Sequence, residues 1–191
     1  TSERLPHRED FFDTLKNVIG VPNSILDIGC GVMPLIFPFD TPPFGDLRDS
    51  LTKSKIVESY CAADRDEKAI QVVQAYADWR SDERLVARHW ELSEGWSPLL
   101  EASGRKKFDV AFMLKLIPVV LRRSPDLLDI LADVPADKIV VTGSRQSMVK
   151  RQSIERREAG ILLDFASKYG FEQTGDFETL DEIGFILEKH Y

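Results

Sequence analysis

The sequence predicts an α/β fold, a mostly parallel sheet with helices on both faces. Three observations predict it. Apolar runs of strand length alternate with amphipathic stretches of helix length along nearly the whole chain, the order that builds parallel βαβ units. The first such run, 25–28, ends in the tight turn Gly29-Cys30-Gly31, at the place where an open sheet of this kind receives its ligand. The 191 residues suffice for one well-buried core and are short for two. A single Rossmann-like domain over 1–191 is therefore expected, with 1–23 as a helical lead-in.

The elements follow in order. Phe11, Phe12, Leu15, Val18 and Ile19 share one helical face, and Pro22 with Asn23 is expected to end that helix. Residues 25–28 form a short buried strand. Residues 40–55, with Pro42, Pro43 and Gly45, read as loop with some helix. A second strand is expected over 56–63. The helix after it is marked by Ala69, Val72, Val73 and Tyr76, with Asp66 as its N-cap. Residues 85–90 are a third strand, 93–107 a mixed connection broken by Gly95, Pro98 and Gly104, and 108–114 a fourth strand. Ser124 and Pro125 suit the cap and first residue of the next helix. After a fifth strand at 138–142, Ile154, Ile161, Leu162 and Phe165 give a long amphipathic helix, with Gly170 where a C-terminal cap belongs. Two strands, 171–177 and 183–188, close the chain as a hairpin-like pair.

Composition narrows the function classes. The net charge is −7, from 32 acids against 25 bases, which argues against a general nucleic-acid coat but leaves room for a local basic face. One is present late in the chain, where Arg145, Lys150, Arg151, Arg156 and Arg157 are opposed only by Glu155 and Glu158. The solvated face of a helix explains such a run equally well. Two cysteines, Cys30 and Cys61, make neither a disulfide framework nor a zinc site, so a reducing, cytoplasmic setting is expected. His7, His89 and His190 do not cluster with them, and no metal centre is expected. There is no apolar run long enough to span a bilayer and no secretory signal pattern, so no membrane association is expected.

The chemistry is carried by the turn. Glycines there let the backbone take positive φ and approach a ligand closely. The dinucleotide fingerprint wants a third small residue where Pro34 stands, which disfavours a pyrophosphate. The acid two residues before the first glycine, Asp27, instead gives D-x-G-x-G, the pattern of S-adenosylmethionine (SAM) methyltransferases. Asp27, Gly29, Cys30 and Gly31 are accordingly candidate cofactor residues; a ligand-free strand-to-helix turn is the plain alternative. Asp64, at the end of the second strand with Arg65 beside it, can accept both ribose hydroxyls, or could cap the following helix, as Asp66 could equally. Glu91 and Leu92 suit an adenine, with one hydrogen bond and one flat contact, or ordinary surface. Leu114 and Lys115 end the fourth strand where the reactive methyl should lie. Lys115 would contact the SAM carboxylate or a substrate phosphate; a lysine there more commonly snorkels.

With these pieces in order, the sequence resembles the aminoglycoside-resistance 16S rRNA methyltransferase family. The matching stretches are "TSERLP" at 1–6, "SILDIGCGVMPL" at 24–35, "AADRD" at 62–66, "VAFMLKLIPVV" at 110–120 and "VVTGSRQSM" at 140–148. The resemblance implies a class I SAM-dependent methyltransferase with a seven-stranded sheet whose last strand is antiparallel. It implies SAM as methyl donor and S-adenosylhomocysteine as product. The implied acceptor is guanine N7 in the 16S rRNA of the 30S decoding site, with antibiotic resistance as the role. It also implies that Arg4, at the family's S-x-R-L segment, joins the cofactor site. Arg145, Ser147, Met148, Lys150 and Arg151 would meet the RNA, Met148 packing on a flipped base. The family's N-terminal ribosome-docking region is expected to be missing here, and Gly143-Ser144 stands where the family carries Phe-Pro.

Guanine N7 has a free in-plane lone pair and loses no proton on methylation. No general base is therefore assigned, and His89 and Cys30 are read as structural. A monomer is expected. Three other readings stay open: a SAM methyltransferase for a small molecule, a SAM-binding module without activity, and a nicotinamide-dependent enzyme, which Pro34 disfavours.

Overall fold

The computed structural model describes residues 5–41, 43–45, 56–145 and 151–189. Its centre is one seven-stranded sheet. The strands are β1 (Ser24–Ile28), β2 (Ser59–Asp64), β3 (Leu85–His89), β4 (Phe108–Leu114), β5 (Ala136–Ser144), β6 (Phe171–Glu178) and β7 (Glu182–Lys189). Their spatial order is β3-β2-β1-β4-β5-β7-β6. β1 to β5 run parallel, and β7 lies antiparallel between β5 and β6. The order reverses at β1, which leaves β1 and β4 side by side as the switch point where this architecture opens a crevice.

Strand periodicity divides the core. Ile25, Tyr60, Val110 and Val140 point to one face, where they meet α1 (Arg8–Ile19), α2 (Glu67–Arg80) and a phenylalanine cluster of Phe12, Phe37, Phe39 and Phe44. Leu26, Cys61, Ala111 and Val141 point to the other, beneath α3 (Ser97–Ser103), α4 (Ile117–Arg123), α5 (Leu128–Ala132) and α6 (Arg151–Lys168). Every residue of β1 is buried, as a central parallel strand covered on both faces must be.

Three boundaries differ from the sequence reading. α1 ends at Gly20, φ 70°, whose N–H donates to the carbonyl of Lys16; glycine reverses the chain there before Pro22 and Asn23 are reached. Ser124 and Pro125 open a single 3₁₀ turn, Pro125–Leu127, rather than the helix itself, and Ser124 makes no side-chain cap bond. The second strand starts at Ser59 rather than at residue 56. Asp66 does cap α2, its side chain accepting from the N–H groups of Lys68 and Ala69.

Two glycines mark places where elements touch backbone to side chain. A Cβ on Gly184 would meet the Phe177 ring at 2.3 Å, and one on Gly143 would meet Glu158 Cβ at 2.7 Å. The first lets the β6 aromatic lie across β7; the second lets α6 press onto the end of β5.

Candidate functional site

The turn after β1 is pinned to the end of β2. The N–H groups of Gly29 and Cys30 both donate to the carbonyl of Ala63, at 2.8 and 3.2 Å. Gly31 N–H donates to Asp64 Oδ2 at 2.8 Å, and Asp66 N–H donates to the same carboxylate's Oδ1 at 2.8 Å. Gly29 and Gly31 have φ of 69° and 53°, the left-handed region a side chain disfavours. A short 3₁₀ turn, Met33–Leu35, follows directly. A dinucleotide cradle needs a helix N-terminus aimed at the pyrophosphate, and the turn does not supply one.

Asp27 lies beneath this turn, 1% exposed, and accepts from the Tyr60 hydroxyl at 2.7 Å. The cysteines are buried and reduced. Burial, with Asp27 and Asp64 nearby, pushes the Cys30 thiol far above its ordinary range, and burial pushes Cys61 up to about 12. Neither is a nucleophile at neutral pH. His89 bonds the carbonyl of Arg65 at 3.1 Å from an exposed position. Among the described residues no group of three or more His, Cys, Asp or Glu could hold a metal ion, and no helix is long and apolar enough to cross a membrane.

A cavity of about 200 Å³ opens at the switch point. Gly29, Asp64, Arg65, Glu91 and Leu92, all candidates from the sequence, come together around it. Asp27 and Cys30 support the turn from below, while Leu114 and Lys115 stand at the end of β4, outside the cavity lining. Arg4, Ser147, Met148 and Lys150 lie outside the described residues, and Arg151 is described only as the first residue of α6.

Sequence reasoning missed the opposite wall. Leu116, Val119, Val120 and Leu127, from α4 and the 3₁₀ turn beyond it, give the cavity its apolar side, with Arg123 and Ser124 at the rim. The signal was present in "LKLIPVVL", apolar at helical spacing, but nothing local said that this helix would fold back over the turn. Leu116 Cδ1 lies 3.3 Å from where a Gly29 Cβ would be, so Leu116 packs closely over the glycine turn. Trp90, also lining the cavity, is fixed by its Nε1–H donating to the Gly95 carbonyl at 2.8 Å and by stacking on Trp96. Glu91 and Glu94 form a reciprocal capping box, so Glu91 is held in place at the cavity edge.

One wall of the cavity is apolar, and the other carries the carboxylates of Asp64 and Glu91. Asp64 has a second lone pair on each oxygen beyond the two backbone N–H groups it accepts, enough for two ribose hydroxyls.

The late basic stretch is more committed than its sequence suggests. Arg145 bonds Glu155 Oε2 at 3.3 Å, Glu178 Oε2 at 3.1 Å and the Thr179 carbonyl at 2.8 Å. Its guanidinium staples the β6–β7 turn to α6. Arg157 and, from α4, Arg122 both grip the buried Glu158, at 3.0 and 3.3 Å. Arg123 and Arg156 are exposed and pair with no described acid.

The fold has counterparts among solved structures. The 16S rRNA methylase ArmA superposes with a TM-score of 0.71 at 20% identity, over 99% of this chain and 85% of that one. The fold is that of the class I SAM-dependent methyltransferases. The 16S rRNA methyltransferase RmtF, solved with S-adenosyl-L-homocysteine, gives a TM-score of 0.73 at 19% identity, with 99% of this chain covering 64% of its length. An rRNA methylase from Escherichia coli gives 0.69 at 17% identity, covering 66% of that chain. The chain thus spans about two thirds of the length of these last two. No family model matches it.

Proposed function

We propose that this protein transfers a methyl group from SAM to 16S rRNA within the 30S subunit, at guanine N7 in the decoding site, as a cytoplasmic enzyme. The observation that carries the cofactor half is the pinned turn: Asp64 ties the glycine loop to β2 at 2.8 Å while keeping acceptor capacity toward the cavity. The substrate half is supported by the likeness to 16S rRNA methylases over 99% of the chain and by the family stretches around Lys115 and Ser147 in the sequence.

Bound SAM supplies an electrophilic methyl. The chain's own residues bind and orient. Asp64 accepts the ribose hydroxyls, Glu91 and Leu92 take the adenine, and Leu116, Val119 and Val120 exclude water from its face. An acceptor nitrogen with a free lone pair would take that methyl without first losing a proton, so no residue of the chain would have to act as a base. Placement alone is therefore required, and near-attack positioning can supply roughly 7–11 kcal/mol of barrier reduction. The inert cysteines and the exposed His89, which bonds only a backbone carbonyl, agree with this. Arg123 and Arg156 hold phosphates by charge alone.

A second reading, a small-molecule acceptor, is favoured by the net charge of −7 and by the internal pairing of Arg145, Arg122 and Arg157. Methyl-tritiated SAM incubated with 30S subunits, and separately with a metabolite extract, separates the two. The proposal expects label in RNA. Label only in small molecules removes the RNA acceptor and keeps the methyltransferase.

A further inference from the structure

The end of β4 is tied to β5 and β7 by a buried polar chain that sheet packing does not require. Lys115 takes φ 60°, one of two non-glycine residues with positive φ among those described. Such a conformation persists where its surroundings over-determine it, and it gathers at functional sites. The surroundings here are specific. The Lys115 N–H donates to the Thr142 carbonyl at 3.1 Å and to Thr142 Oγ1 at 3.0 Å. The Thr142 hydroxyl donates to Glu182 Oε2 at 2.6 Å. Glu182 Oε1 in turn lies 3.9 Å from Lys115 Nζ. The loop is closed: backbone of Lys115, hydroxyl of Thr142, carboxylate of Glu182, ammonium of Lys115.

Glu182 is wholly buried, while Lys115 keeps about a quarter of its side chain exposed, at 26%. A carboxylate out of water is strongly unfavourable unless partnered. The following positions of β7 that enter the core are ordinary apolar residues, Phe185, Ile186 and Leu187. A carboxylate at the strand's first residue therefore answers a need other than filling space. The site of that need follows from the sheet order. Lys115 directly follows β4, beside β1 and its glycine turn, and the next residue, Leu116, closes on Gly29 and lines the cavity.

We propose that Glu182 is the positioning residue for Lys115. Through Thr142 it fixes the left-handed turn, and through the ion pair it directs the ammonium to an anionic oxygen of the bound reactants at the reacting end of the cleft. That oxygen belongs either to the methionine carboxylate of the cofactor or to a phosphate of the acceptor. The inference rests on the methyltransferase reading above.

The test compares Glu182→Gln, which keeps volume and an acceptor for Thr142 while removing the charge, with Thr142→Val, Lys115→Met and the double variant Glu182→Gln/Lys115→Met. Glu188→Gln, at the far end of the same strand, is the control. Calorimetry reads SAM affinity, and steady-state methylation of 30S subunits reads KM and kcat. Glu182→Gln is expected to lose about tenfold in one parameter, and the double variant to be no worse than Lys115→Met alone, the signature of a coupled pair. Weakened SAM binding assigns the carboxylate; a raised KM for 30S at unchanged SAM affinity assigns the phosphate. Thr142→Val should follow Glu182→Gln in direction, which keeps the test open if Glu182→Gln fails to fold. Values within twofold of wild type for both, or strict additivity with Lys115→Met, would overturn the proposal. A wild-type chain that binds no SAM overturns the parent reading instead, before any variant is compared.

Discussion

Removing the Asp64 carboxylate should separate two jobs the structure gives it. In the protein alone, Asp64 accepts the N–H groups of Gly31 and Asp66, each at 2.8 Å. Asp64→Ala leaves both donors without that partner, but the site opens to solvent and water can replace it. The net loss is then about 1 kcal/mol per bond, about 2 kcal/mol in all. For a domain of this size that lowers Tm by roughly 4–8 °C. With cofactor present, two further hydrogen bonds from the ribose are lost, and the turn that shapes the cavity is looser. At about 1–1.5 kcal/mol each, SAM affinity should fall roughly 30- to 150-fold. Differential scanning fluorimetry reads the first number and isothermal titration the second, at a temperature where both proteins are folded. A variant that melts as wild type yet binds SAM within threefold would refute the reasoning, because neither the pinning of the turn nor the ribose contact would then depend on this carboxylate.

Other outcomes follow from the same geometry. Gly184→Ala places a methyl group 2.3 Å from the Phe177 ring and should destabilise by about 1–3 kcal/mol, less in a Phe177→Leu background, as urea denaturation of the four proteins would show. The Asp82 side chain is 6% exposed and its carboxyl is held below the ordinary carboxylate range by hydrogen bonds from Arg84. Its folded-state pKa is depressed, so its contribution to stability is present above the unfolded value near pH 4 and fades as pH falls through the folded one; in Asp82→Asn the acid limb of a Tm-versus-pH curve should flatten while Tm at pH 7 drops. Arg123→Ala and Arg156→Ala should each weaken 30S binding and reduce the slope of log affinity against log salt by about 0.7–0.9, measured by filter binding; an unchanged slope would return both arginines to plain solvated surface.

The sequence showed the sheet well and the site by halves. Strands such as 108–114 were legible because a continuous apolar run in an α/β pattern has few other fates, and the glycine turn because Gly29-x-Gly31 at a strand end is local chemistry. Asp66 as a helix cap was legible for the same reason. What could not be read is what arises between elements. Leu116, Val119 and Val120 line the cavity because the chain after β4 folds back over the glycine turn, where Leu116 packs against Gly29. Glu182 looks like any strand-edge acid until the antiparallel insertion of β7 beside β5 brings it to Thr142. The pairing of the basic residues was only partly legible: Arg157 bonds its sequence neighbour Glu158, whereas Arg145 and Arg122 meet acids that only the fold brings to them, Glu178 and Glu158.

The position of a bound adenosine is the most direct test of the site. A crystal structure with S-adenosylhomocysteine should place the ribose hydroxyls on Asp64, the adenine between Leu92 and Leu116, and the homocysteine sulfur toward the end of β4 beside Lys115. Nucleoside density anywhere else, or none at saturating ligand with the crevice beside Gly29 shut, would contradict it.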